Sequence, residues 1–65
     1  MNSVWISGKA LEDVWIRKND KNRLIASFVI EDGSNHIRCI AFDSLADKAG
    51  LWVRKGKWIE GSGAL

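Results

Sequence analysis

The 65-residue sequence has one cysteine, Cys39, and one histidine, His36. A single cysteine excludes an internal disulfide, and these two residues do not fill a tetrahedral metal site. Neither a metal nor any other cofactor is implied. No apolar run approaches the roughly 20 residues that a membrane-spanning helix needs. The N-terminus lacks the layout of a signal peptide, and a free thiol without an export signal suits a reducing cytoplasm. There is no repeat, low-complexity tract or internal linker, so residues 1–65 are expected to form one domain. Charge of one sign is also scarce. Ten Lys and Arg against eight Asp and Glu leave +2, which is weak evidence for a polyanionic partner.

A chain this short buries little surface on folding, and with no disulfide or metal to add stability, self-association is the expected supplement. The composition, 46% hydrophobic and 28% charged, is that of a globular chain rather than a disordered one. Tryptophan is what the sequence has in excess: Trp5, Trp15, Trp52 and Trp58. A small core rarely needs four indoles, each with an N–H that must find an acceptor or water. Some of the four are expected at a binding surface or a subunit contact.

A two-residue period runs through most of the chain. In "SVWISGKAL" (3–11), Val4, Ile6, Gly8 and Ala10 alternate with Trp5, Ser7, Lys9 and Leu11, as on the two faces of a strand. "VWIRK" either continues that strand or restarts it. "KNDKN" (18–22) is a turn cluster, and "RLIASFVIE" (23–31) is a β-rich run with Ala26, Phe28 and Ile30 on one face. The Asp-Gly step of "DGSN" (32–35) signals a hairpin into "HIRCIAF" (36–42). There Ile37, Cys39 and Ala41 are expected inward, and His36, Arg38, Ile40 and Phe42 outward. Cys39 reads as a small buried apolar residue.

The period then changes. Ser44 and Asp47 have capping-box spacing, and Leu45, Ala46, Ala49 and Trp52 fall on one helical face. Arg54 and Lys55 suit the negative end of that helix, and Gly56 is placed to stop it. "KWIEGSGAL" (57–65) reads as a last strand weakened by Gly61 and Gly63. Three strands, a helix and a further strand is the layout of an OB-fold.

The residues themselves resemble a family, the bacterial single-stranded DNA-binding proteins. Residues 1–31 resemble its opening without a gap, with the Val-x-Ile-x-Gly strand and the Ala-x-Phe-x-Ile strand. Arg38, Phe42, Leu45, Ala46, Ala49, Arg54, Lys55 and Gly56 fall at the family's spacing, and Gly63 and Leu65 match its Gly-x-Leu. The departures are specific. The family's long loop between its second and third strands, with a base-stacking tryptophan, is reduced here to about "EDGSN". His36 replaces a tryptophan, Asp43 stands where glycine is common, and Ser44 stands where a basic residue is usual. The family's final hairpin, fifth strand and acidic tail have no counterpart before Leu65.

The resemblance implies an all-β fold: a small, partly open Greek-key barrel of four to five strands, with one short helix between strands 3 and 4. It implies a non-enzymatic function, sequence-independent binding of single-stranded DNA in replication, recombination and repair, with RNA left open. Unpaired bases offer π-faces for stacking, and Lys and Arg neutralise phosphates. Without the resemblance, Phe42 reads as core despite its outward parity and Arg38 as a solvated charge; the resemblance moves both to the DNA path. His36, Lys9, Arg54, Lys55 and Lys57 complete the candidate binding set. Trp5 and Trp58 are assigned to a homo-oligomer contact, Trp52 to plugging the barrel end, and Trp15 is left open. The rival reading is an accessory replication or restart subunit, or an assembly scaffold, with weak or no DNA affinity of its own, favoured by the shortened loop and small net charge. Catalysis finds no support. Asp43 and Ser44 follow the strand that carries His36 and do not make a triad with it, and "GSG" precedes no helix.

Overall fold

The computed structural model describes residues 3–64. Residues 1 and 2 of the opening resemblance, and Leu65 of the expected last strand and Gly-x-Leu match, lie outside them. Five strands and one helix follow in the order β1 (Ser3–Ala10), β2 (Trp15–Lys18), β3 (Leu24–Asp32), β4 (Asn35–Phe42), α1 (Ser44–Trp52) and β5 (Trp58–Ala64). All strand pairs are antiparallel. β3 is central: β4 runs along one of its edges, and β1 and β2 share the other. β5 pairs with the far edge of β1 from Ser3↔Ala64 to Lys9↔Trp58.

Of the two readings of "VWIRK", the restart holds: it forms a separate strand, so the helix falls between the fourth and fifth strands. β1 leaves β3 after Ala10↔Ile30, and β2 resumes at Trp15↔Ser27, two residues out of the earlier register. An even slip keeps side-chain parity, because faces alternate with period two. Odd-numbered residues of β1 and β2 therefore share one side of the sheet across the break. Gly8 marks the close crossing of β1 over β3. A Cβ there would sit 2.2 Å from Cγ2 of Ile30 and 2.5 Å from the carbonyl oxygen of Glu31, which explains the glycine in Val-x-Ile-x-Gly.

The core is made of small side chains. Ala10, Ala26, Ala46, Ala49 and Val53 form its buried cluster, with Val14, Leu24, Phe28, Ala41 and Ile59 packed against it. Ile30 is the largest side chain that is fully buried. Helix α1 lies over β2, β3 and β4 at this end. Two backbone bonds tie the end of β1 to the turn before β5: Ala10 N–H to the Lys57 carbonyl and Gly56 N–H to the Ala10 carbonyl, both 2.8 Å.

Both helix ends differ from the expected ones. The N-cap is Asp43, with φ of 52°, no side-chain cap is made, and Ser44 is already helical. Asp43 thus occupies a backbone conformation that favours glycine. Its carboxylate instead reaches back to Arg23 at 2.8 Å. The helix ends at Trp52 with Val53 as an extended C-cap. Gly56, with φ of 86°, serves the turn into β5 rather than the helix terminus. The buried helix face is Ala46, Ala49 and the adjoining Val53, whereas Leu45 and Trp52 are 62% and 68% exposed. Trp52 therefore does not plug the barrel; the buried Val53 packs into that end. No helix among the described residues is long and apolar enough to cross a membrane.

Candidate nucleic-acid interface

Strand register sets the outer face. Across β2, β3 and β4 the rows are Arg17, Ile25, Phe42 and, next to it, Trp15, Ser27, Ile40. Val29 pairs with Arg38, and the last row runs His36, Glu31, Lys9, Trp58 across β4, β3, β1 and β5. Ile37, Cys39 and Ala41 alternate to the other side, as expected. Trp15, Arg17, Arg38, Ile40 and Phe42 are all exposed on the one face. Phe42 keeps 45% of its surface accessible, which places it on the outside of the sheet rather than in the core.

Two cations lie against this aromatic pair. The Arg17 guanidinium is 5.4 Å from the centre of the Trp15 ring, and that of Arg23 is 5.1 Å from the centre of Phe42. Such separations fall within cation–π range. Arg23 is oriented by Asp43, donating Nε–H at 3.1 Å and Nη2–H at 2.8 Å to the same carboxylate oxygen. That hydrogen bond, more than charge attraction, holds the Asp43 carboxyl below the ordinary carboxylate range. Beside Trp15 a cleft of about 350 Å³ is lined by Asp13, Val14, Ser27, Phe28 and Arg38. Trp15 and Arg38 thus flank one opening, although 23 positions separate them in the sequence.

The expected site residues divide accordingly. Arg38 and Phe42 meet on the platform. His36 and Lys9 stand on the same face one end away, with His36 Nε2 3.6 Å from a carboxylate oxygen of Glu31. Lys55 and Lys57 are exposed in the turn before β5, and Lys55 N–H is held by Asp13 Oδ1 at 2.9 Å, next to the cleft. Arg54 is not directed at this face. Its Nη1 donates to the Gly50 carbonyl at 2.7 Å and the Val53 carbonyl at 2.9 Å, closing the helix C-terminus. Trp5 and Trp58 are exposed together on the outer side of β1 and β5, with Trp58 Nε1–H donating to Glu60 at 3.0 Å.

Sequence reasoning left Trp15 unassigned and missed Arg17 and Arg23. The parity of Trp15 with Arg17 was a usable signal, but only the register of β2 on β3 reveals which face they share. Cys39 lies on the inner side, half-buried, and burial pushes its thiol up from its ordinary value. Among the described residues no group of three His, Cys, Asp or Glu is placed to hold a metal ion.

No family model matches the sequence, and no curated protein matches it. Among solved structures, the chain is similar to the SSB domain of a Synechococcus sp. protein, known from a crystal structure. The TM-score is 0.91 at 19% sequence identity, over 100% of this chain and 76% of that one. At this identity the likeness is one of fold. This chain has an all-β, OB-like fold of the SSB-domain type: an open antiparallel sheet of five strands with one short helix before the last.

Proposed function

We propose that this protein binds single-stranded DNA without sequence preference, on the outer face of β2, β3 and β4, and that it is a binding module rather than an enzyme. The observation that carries the reading is the row geometry. Trp15 and Phe42 are two exposed aromatic rings on one face, with Arg38, Arg17 and Arg23 around them. Stacking on the rings tolerates any base, since every base has a π-face, and the guanidinium groups neutralise phosphates as the strand passes. Lys9, His36, Lys55 and Lys57 extend the path, whereas Arg54 contributes by finishing the helix. The fold shared with an SSB domain supports the same reading, and roles in replication, recombination and repair follow from it.

Trp5 and Trp58, both exposed on the outer side of β1 and β5 with their rows four residues apart, form the proposed contact of a homo-oligomer. A scaffold or accessory role is favoured by a different observation, the large apolar opening between β4 and β5. Titration with oligo-dT at two salt concentrations, followed by tryptophan fluorescence, tests the choice. Quenching with an affinity that falls steeply as salt rises is expected for the DNA-binding reading. A signal unchanged by oligo-dT at low salt overturns it.

A further inference from the structure

Three guanidinium groups stand on the outer face, and their surroundings differ. Arg17 lies against Trp15 and Arg38 flanks the cleft; among the described residues neither is in an ion pair. Arg23 is committed. Its Nε–H and Nη2–H both donate to one oxygen of Asp43, and its guanidinium lies over the Phe42 ring. Its backbone is fixed as well: Arg23 N–H donates to Asn19 Oδ1 at 2.9 Å, and the Arg23 carbonyl accepts from Asn19 N–H at 3.0 Å. The guanidinium therefore covers part of a ring on which a base can stack. A carboxylate oxygen already holds the place that a phosphate oxygen would take, since arginine makes the same charge-assisted bonds to both.

The Asp43 carboxylate is not spent on the helix it precedes. An aspartate at an N-cap ordinarily accepts a hydrogen bond from the first turn, yet this one makes no side-chain cap. Its backbone, with φ of 52° and ψ of −117°, is one that glycine adopts at less cost. Stability gains little from the pair either. The two side chains are 51% and 54% exposed, and exposed ion pairs contribute little. What the pair does change is what Arg23 and Phe42 offer to a ligand.

We propose that Asp43 sets the affinity of the platform as a built-in competitor for the phosphate. In the free protein it holds Arg23 on Phe42. An incoming strand draws Arg23 onto a phosphate, and the vacated ring face takes a base. The inference rests on the DNA-binding reading of the outer face and gives one of its residues the opposite sign. Arg38→Ala and Phe42→Ala are expected to weaken binding, whereas removing the Asp43 charge strengthens it. The two ends of the platform differ in consequence. Trp15 and Arg17 have no such carboxylate among the described residues and stand open, while Phe42 and Arg23 are latched.

The test compares the wild type, Asp43→Asn and Glu12→Gln in oligo-dT anisotropy at low salt. Asparagine tolerates positive φ, and urea unfolding checks that both variants fold. Glu12 borders the cleft beside Trp15 and is in no ion pair among the described residues. Its variant therefore measures the loss of one negative charge alone. Asp43→Asn is expected to bind about two- to fivefold more tightly than the wild type, the scale of an exposed ion pair that no longer has to break. It is also expected to bind more tightly than Glu12→Gln. A second readout needs only the wild type: nuclear Overhauser contacts between the Arg23 side chain and the Phe42 ring, expected in the free protein and lost at saturating oligo-dT. Three results overturn the inference while leaving DNA binding intact: no gain in Asp43→Asn, an equal gain in Glu12→Gln, or Arg23–Phe42 contacts that persist in the complex. No binding by any of the three proteins overturns the functional reading and this inference together.

Discussion

The two sides of β4 differ in kind although they alternate residue by residue. The outer side presents His36, Arg38, Ile40 and Phe42 among cations and a second aromatic ring from β2. The inner side presents Ile37, Cys39 and Ala41 to an apolar groove that is sealed at the helix end and open along β5. Ala26 and Ala46 by the helix, and Ile30 where β1 crosses β3, have no exposed surface, whereas Ile37, the register partner of Ile30 on β4, remains 41% exposed. One strand thus serves two chemistries. The outer face carries the proposed nucleic-acid platform, and the inner face is apolar. The lesson is that a side chain's position on the inner face does not by itself make it core; the neighbouring strand decides.

The largest effect should come from emptying the packed position of this pair. Ile30→Ala is expected to cost about 2–5 kcal/mol, the usual range for emptying a fully packed site, whereas Ile37→Ala should cost less than about 1 kcal/mol because its site is already unfilled. Urea unfolding of both variants checks this contrast. Equal losses would mean that the two positions are packed alike.

Glycine substitution sharpens the same contrast. Gly8→Ala drives a methyl into Ile30 and the Glu31 backbone, so a loss of about 1–3 kcal/mol or more is expected in the same unfolding experiment. Gly61→Ala meets nothing and should be neutral or stabilising by up to about 1 kcal/mol. A destabilised Gly61→Ala would show that the open side is not open.

On the outer face, Arg38→Ala should weaken oligo-dT binding alike for different sequences. It should also reduce the slope of log affinity against log salt by about one, the share of a single phosphate contact. Binding measured across a salt series reads this directly. An unchanged slope would take Arg38 off the path.

The smallest effect concerns Asp43. Its folded pKa is depressed by the bond from Arg23, so its contribution is present above the unfolded carboxylate pKa. It is lost as pH falls through the lowered folded value. Asp43→Asn keeps a residue tolerant of positive φ but removes the charge. Any urea-midpoint advantage of the wild type over this variant should exist at neutral pH and vanish on acidification through that lowered pKa. An advantage that persists in acid would belong to packing, not to the ion pair.

Much of this architecture was legible in the chain. Alternation marked the strands and put Ile37, Cys39 and Ala41 opposite Arg38 and Phe42, because side-chain parity is a local property. Whether the strand breaks at residues 11–14 stayed open, since it depends on β1 and β2 pairing with different stretches of β3. That same break decides the role of Trp15. Helical spacing grouped Leu45 and Trp52 with Ala46 and Ala49, but burial depends on what stands opposite, and Leu45 and Trp52 face an open groove. Arg54 matched a DNA-path position by spacing, yet the unsatisfied carbonyls of the helix end claim it first. Arg23 escaped notice because its partners, Asp43 and Phe42, become neighbours only through the hairpin.

The central claim is that Trp15 and Phe42 form a single stacking platform that contributes to binding and not to folding. Anisotropy of a labelled oligo-dT should therefore be measured with the wild type, Trp15→Ala and Phe42→Ala, alongside urea unfolding of all three. Each variant is expected to lose about 1–3 kcal/mol of binding, the usual cost of removing one stacked aromatic ring, with little change in the unfolding midpoint. Unchanged affinity in either variant, or a midpoint that collapses with the affinity, would contradict the account.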